Sequence, residues 1–232
     1  MTINPNLSHV ASIVSDPSRV AILTVLMDNR FHSAGELAYM AKIKPQTTSY
    51  HLAKLIEANL ITVENQGRHR YFKIQNPEIA RIIETLLTLA PPAQIRSLKQ
   101  STEDKQVRYA RTCYDHPAGY LGVQITESLI KEGFLLDNNG ELLLLDSGIS
   151  FLTSLGVDIQ EVRKKRRSFC HKCLDWSERR YHLAGALGST LFELFIEKDW
   201  IERMPKTRAL NITPIGKKAF LENFSIDLSI HS

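Results

Sequence analysis

Cysteine is scarce in this chain: there are three in 232 residues, beside two tryptophans and four methionines. So few, and an odd number, argue against a disulfide framework and fit a compartment where thiols stay reduced. Long apolar runs are missing as well. No segment approaches the ~18 residues of a membrane span. The opening residues, MTINPNLSHVASIVSDPSR, lack the charged and apolar regions of a secretory signal. A cytoplasmic chain with no membrane partner is therefore expected. Catalytic signatures are absent too: there is no Gly-rich phosphate loop, nucleophile elbow or paired His-Glu zinc motif. Asp115 and His116 beside a cysteine are the nearest approach to a nucleophile and its base, and no enzyme is expected. Neither sign of charge dominates. With 29 Lys and Arg against 25 Asp and Glu, the net charge is +4, which permits a nucleic-acid partner without demanding one. The 43% of hydrophobic residues is enough for a core that needs no covalent staples.

What is present begins with helical periodicity. Val10, Ile13 and Val14, then Val20, Ile22, Leu23, Val25 and Leu26, fall at helical spacing. Asp16-Pro17 interrupts them as an N-cap followed by proline at the first helical position. A second helix is predicted after Ser33, in AGELAYMAKI, and a third from Pro45 to about Asn59. LITVENQGRHRYFKI reads as a hairpin around Asn65-Gln66-Gly67. IARIIETLLTLA reads as an amphipathic helix closed by Pro91-Pro92, so residues 1–92 form one unit. Residues 93–110, polar and basic, read as a helical or extended connector.

Helix, helix, turn, helix, hairpin is the order of a winged helix-turn-helix, a mainly α fold with small β-hairpin wings. Leu52, Leu55 and Ile56 give the third helix an inward stripe, and Gln46, Thr47, Ser49, Tyr50 and Lys54 can face outward. Gln and Ser/Thr side chains hydrogen-bond base edges, and a helix N-terminus favours phosphate. Arg68 and Arg70, with Tyr71, sit on a projecting ribbon that suits backbone or minor-groove contact. Each feature alone also describes a solvated surface; their order is what points to double-stranded DNA.

From residue 111 to 225 the chain repeats itself. AGYLG at 118–122 and AGALG at 184–188 each open an apolar helix. Phe134-Leu135 and Trp200-Ile201 follow at the same distance, then the strand pairs LLDNNGELLLL and IERMPKTRALNI, then turns at Gly148 and Gly216. Each copy begins Cys-x-Asp, at Cys113 and Cys173. Residues 113–156 and 173–224 are thus two helix–hairpin repeats that should pack on each other. Asp115 and Asp175 are candidate caps for the helices that follow.

VSDPSRVAILTVL, ELAYMAKIKPQTTSYHLAKLIEANLI and VENQGRHRYFKI resemble the opening helix, helix-turn-helix and wing of the ArsR/SmtB family of bacterial repressors. The resemblance covers about residues 8–90. It implies a homodimer built on the first and last helices of the unit, bound to a palindromic operator and released by an inducer. It puts Thr47, Ser49, Tyr50 and His51 at reading positions and Arg68 and Arg70 on the wing; His51 can equally pack against the scaffold. ELAYMAK and QTTSYHLAKL carry no cysteine and IARIIETLLTLA carries no histidine, so the family's usual metal sites are absent. RTCYDHPAGYLG and CLDWSERRYHLAGALG resemble a longer subgroup with an added effector-like domain, grouped with metal-responsive regulators that include relatives of cadmium- and lead-sensing repressors.

Cys113, Cys170, Cys173 and His116 are the candidate metal ligands, with His171 and His182 also nearby. Three thiolates suit cadmium, lead or arsenite, and a fourth donor from His116 suits zinc. No resident cofactor is required; such an ion would be an inducer. Three other readings stay open. The basic flank EVRKKRRSFCHKC would lower thiol pKa values and favour redox sensing. Equivalent cysteines in a duplication can share a packing role. An organic effector could lie between the repeats against Tyr120, Trp176 and Tyr181. The run Arg163–Arg167 reads as a solvated helix face or as extra phosphate contacts.

Overall fold

The first helices start where their caps stand. In the computed structural model, which describes residues 6–138 and 141–228, helix α1 (Leu7–Val14) is followed by α2 (Pro17–Leu26). The Asp16 carboxylate accepts from the backbone N–H groups of Ser18 and Arg19, and Pro17 stands at the first position, so the helix loses no hydrogen bond to proline. Strand β1 (His32–Ser33) leads into α3 (Ala34–Met40), which opens with a reciprocal capping box between Ser33 and Glu36. Helix α4 (Pro45–Glu57) again starts at proline, with no side chain capping its N-terminus.

Strands β2 (Ile61–Gln66) and β3 (His69–Ile74) pair antiparallel from Ile61 opposite Ile74 to Gln66 opposite His69. Only Gly67 and Arg68 are left for the turn, and Gly67 takes a φ of 60°, which glycine adopts without strain. Strand β1 adds to β3, giving the order β1-β3-β2. Ile22, Leu23, Leu26, Leu37, Leu52, Leu55 and Phe72 are buried in this unit. The fold is mainly α with a small antiparallel wing, a winged helix-turn-helix.

Helix α5 (Pro77–Leu89) contains the division of the chain. One compact unit is Met1–Ile83 with Pro205–Thr207, and the other is Glu84–Met204 with Arg208–Ser232. The boundary thus falls earlier than the proline pair at 91–92. The polar connector expected over 93–110 contains a helix, α6 (Leu98–Tyr109), started by the Ser97 hydroxyl.

The second unit is duplicated more fully than its sequence suggests. A short hairpin precedes each AGxLG helix: β4 (Arg111–Cys113) with β5 (His116–Ala118) before α7 (Gly119–Lys131). A second hairpin, β6 (Leu135–Asn138) with β7 (Glu141–Leu144), and helix α8 (Asp146–Ser154) complete the copy; residues 139–140 lie outside the described residues. After α9 (Ile159–Lys164) the series recurs: β8 (His171–Leu174), β9 (Tyr181–Ala184), α10 (Gly185–Glu197), β10 (Ile201–Arg203), β11 (Leu210–Ile212) and α11 (Pro214–Phe224). The copies exchange partners: α7 packs on β9, and α10 packs on β5. An aromatic group of Phe195, Trp200, Phe220 and Phe224, with Trp200 stacked on Phe195 at 5.3 Å, fills the core of the second copy.

The AGxLG motif has a physical reason at each glycine. Gly119 and Gly185 turn the chain from strand to helix at φ of 74° and 84°, where a side chain is disfavoured. Gly122 and Gly188 sit against backbone. A Cβ on Gly122 would meet the Pro117 carbonyl and lie 3.5 Å from His182 Cβ. One on Gly188 would lie 2.5 Å from the Leu183 carbonyl oxygen and 3.3 Å from His116 Cβ. Gly188→Ala should therefore lower stability by about 1–3 kcal/mol, the usual cost of overpacking. Gly35→Ala on α3, where the nearest atom is 4.0 Å from the new Cβ, should leave it equal or slightly higher. Denaturant titration of both variants checks the contrast, and equal midpoints would contradict this packing.

Candidate nucleic-acid interface and metal centre

The face that α4 offers to solvent is polar. Gln46, Thr47, Ser49 and Tyr50 are exposed, Tyr50 by 59%. Thr48, Leu52 and Leu55 point inward. Lys54 is half-buried and its ammonium is 2.8 Å from Glu57, so it shares its charge with a neighbour. Ile56, expected inward, is only partly covered. On the wing Arg68 and Arg70 are both exposed, and the Arg70 guanidinium lies 5.3 Å from the Phe72 ring centroid.

His51 resolves toward the scaffold. It is 6% exposed, with Nε2 3.8 Å from the Asp16 carboxylate that caps α2. It braces α4 against the start of α2 and does not stand with the outward residues. The helix period explains this: His51 follows Thr48 by three and precedes Leu55 by four, both buried.

In the second unit, the strands bring four soft or borderline donors together. Cys113 lies opposite His116 in the β4–β5 register, and Cys173 opposite His182 in β8–β9. Each offers one ligand atom, a sulfur from Cys113 and Cys173 and a ring nitrogen from His116 and His182, and these four atoms all lie within 4.8 Å of one another. The two sulfurs are 3.8 Å apart and the two Nε2 atoms 3.2 Å apart. Cys113, His116 and His182 are buried, and Cys173 is half-buried.

Each imidazole has a carboxylate behind it. His116 Nδ1 is 3.2 Å from Asp115 Oδ1, and His182 Nδ1 is 3.3 Å from Asp175 Oδ2. Asp115 also pairs with Arg167. Asp175 is buried with Arg111, 2.8 Å away, and accepts from Gly119 N at 2.7 Å, Ser177 N at 2.9 Å and Ser177 Oγ at 2.7 Å. The two aspartates therefore do not cap the helices that follow them. Asp175 instead accepts from the first N–H of α7, in the other copy, while the N-cap residues of α7 and α10, Ala118 and Ala184, have no side chain to do so.

The electrostatics follow from this crowding. The hydrogen bond to Cys173 and burial push the Cys113 thiol well above its ordinary value. Burial opposes charge on His116, but the Cys113 sulfur and Asp115 carboxylate outweigh it and hold the imidazole at about 10. Burial also works against the charge of Asp115, yet His116 and Arg167 lower it to about 2. Asp175 is held far below the carboxylate range against its burial, chiefly by His182 and Arg111. Asp115 and Asp175 are thus held as carboxylates by the cationic groups beside them.

Cys170, expected among the ligands, is not in the cluster. Its thiol donates to the Leu142 carbonyl at 2.9 Å, and burial pushes it up to about 11, away from thiolate reactivity. Its place is taken by His182. The signal was legible: HPAGYLG and HLAGALG each carry histidine two residues before the alanine. The aromatic residues named for an organic effector have partners of their own. Tyr120 stacks on Tyr109, Arg111 covers Trp176 at 4.5 Å, and Lys172 lies 5.0 Å from the Tyr181 ring. A cavity between the copies, lined by Pro117, Thr126, Leu183 and Phe195 among others, measures about 10 Å³, room for a water at most. In the basic run, Lys164 pairs with Glu161, Lys165 with Glu193, and Arg167 with Asp115.

A polar helix face beside an arginine-bearing wing defines a DNA-binding regulator of the winged helix-turn-helix class. A helix-turn-helix domain family matches residues 14–64. The uncharacterized HTH-type transcriptional regulator YdfF of Bacillus subtilis (strain 168) is 51% identical over 225 residues, 97% of this chain and 100% of that one. The HTH-type transcriptional regulator YgaV of Escherichia coli (strain K12) is 32% identical over 79 residues, 34% of this chain and 80% of that one. The chain belongs to the HTH-type transcriptional regulators, the family that includes YdfF. A solution structure of the homodimeric winged helix-turn-helix domain of Mb0332 from Mycobacterium bovis, a possible ArsR-family regulator, is 16% identical. It covers 42% of this chain and 100% of that one, with a TM-score of 0.34. Among the described residues no helix is long and apolar enough to cross a membrane.

The two faces of α4 should separate in mutagenesis. Tyr50→Ala should weaken DNA binding and leave the unfolding midpoint within about 0.5 kcal/mol of the parent, as surface changes do. Leu55→Ala, at a fully buried position, should cost about 2–5 kcal/mol. Chemical denaturation with fluorescence anisotropy on operator DNA reads both, and a reversed pattern would contradict the orientation of α4.

Proposed function

We infer that the protein is a dimeric repressor in the cytoplasm, bound to a palindromic operator and released by an inducer. The observation that carries this is the outward set Gln46, Thr47, Ser49 and Tyr50 on a helix beside the wing that bears Arg68 and Arg70. In a dimer, two such helices enter successive major grooves about one helical turn apart. Support for dimerisation comes from apolar side chains left in solvent: Leu7 and Val10 on α1, and Ile82, Leu86 and Leu89 on α5. These are the helices on which the ArsR/SmtB resemblance places a dimer.

The duplicated unit is the effector-holding half. Its buried Cys and His side chains favour a metal ion over an organic molecule as the inducer, and the protein works by binding alone. An ion switches the operator complex only through unequal affinity for the bound and released states.

Phosphate contacts make operator binding fall steeply with salt. Replacing Arg68 and Arg70 together by Ala should weaken binding and reduce the log–log salt slope by about 2, one per lost phosphate contact. Anisotropy titrations across a salt series measure it. An unchanged affinity and slope would remove the wing from the interface.

A further inference from the structure

The geometry points to a tetrahedral site for one divalent ion of the zinc class, held by Cys113, His116, Cys173 and His182. The assignment rests on the reading of this unit as the effector-holding half only for what occupancy does to DNA binding. Occupancy itself is a separate question with its own readout.

Three observations lead there. The first is spacing. Zinc bonds of about 2.3 Å to sulfur and about 2.0–2.1 Å to nitrogen, at tetrahedral angles, set sulfurs about 3.8 Å and nitrogens about 3.3 Å apart. The sulfurs of Cys113 and Cys173 are 3.8 Å apart, and the Nε2 atoms of His116 and His182 are 3.2 Å apart. The second is the surround. Asp115 and Asp175 stand at the Nδ1 atoms of the two histidines, so both Nε2 atoms turn to the common centre. Carboxylates behind metal-ligating histidines fix the tautomer and raise ligand basicity. The third is symmetry. Each copy supplies one Cys and one His from opposed positions of one hairpin, so an ion would clasp the two copies together.

The donor set also selects among ions. Arsenite and lead favour three thiolates, and the third cysteine is engaged with the Leu142 carbonyl. Two thiolates and two imidazoles suit zinc, cobalt or cadmium. A two-iron cluster with Cys on one iron and His on the other needs the pairs well separated, whereas here all four donors lie within 4.8 Å.

The test uses the full chain, reduced and stripped of metal, titrated with Co²⁺ and followed by visible absorption and native mass spectrometry. One ion per chain is expected, with the intense d–d bands of tetrahedral cobalt and a thiolate charge-transfer band, both erased by Zn²⁺. Cys113→Ser, Cys173→Ser, His116→Gln and His182→Gln should each lose or shift those bands, and Cys170→Ser should keep them. Asp115→Asn, a positioning variant, should keep the tetrahedral spectrum with about 10- to 100-fold weaker affinity. Circular dichroism identifies any variant that fails to fold, and the parent's spectrum and stoichiometry stand without the variants. Octahedral or absent bands in the reduced parent would overturn the site. So would dependence of the bands on Cys170, or stoichiometric arsenite binding that Zn²⁺ does not displace. Operator binding is measured separately, so a failed metal site leaves the DNA-binding reading intact.

Discussion

The pairing of Arg111 with Asp175 organises the second unit. Both side chains are fully buried at 2.8 Å, a place where an ion pair is held only if its remaining valences are satisfied. Asp175 meets that condition: backbone and hydroxyl donors from Gly119, Ser177 and Glu178 surround it. Arg111 reaches Ser177 as well and lies over Trp176. One carboxylate thereby ties the hairpin of the second copy to the first residue of α7 in the first copy. The same carboxylate stands behind His182. Packing of the duplication and orientation of the imidazole have a common support, so a change at Asp175 would disturb both.

The copies are equivalent without being identical, and the differences are informative. Asp115 stands behind His116 as Asp175 stands behind His182, but it pairs with the partly exposed Arg167 rather than with a buried arginine. Cys173 stands eleven residues before Ala184 where Cys113 stands five before Ala118, and the added length lies in the β8–β9 hairpin, where Asp175, Ser177 and Glu178 form the turn. Gly122 and Gly188 let each helix approach the histidine-bearing strand of the other copy. A duplicated scaffold has thus become a cross-braced pair with four donors at its centre.

Much of this was legible in sequence where the chemistry is local. Asp16-Pro17, Ser33 and the Pro45 start mark helix termini because capping involves neighbours in the chain. AGxLG marked the repeat because its glycines answer to backbone geometry. The strands β1, β4, β5, β8 and β9 were not foreseen; they are two to four residues long, too short for an alternating pattern. Three of the four clustered donors, Cys113, Cys173 and His116, were candidates in the sequence. Cys170 stands three residues before Cys173 in the sequence, but strand pairing, not sequence proximity, gathers the donor atoms, and it brings in His182 instead. The aspartates were read as local caps and prove to be long-range partners. His51 shows the same limit in the first unit: its residue type suits a base edge, while its helix phase places it inside.

If an ion at the Cys/His centre is the inducer, its occupancy and operator binding are linked. The most direct test of that linkage is the operator affinity of the full chain, stripped of metal and zinc-loaded, by anisotropy at one fixed salt concentration. Linkage predicts affinities that differ by at least about 5-fold, with zinc affinity shifted by the same factor when operator is present. Equal affinities in the two forms, with zinc demonstrably bound, would contradict it.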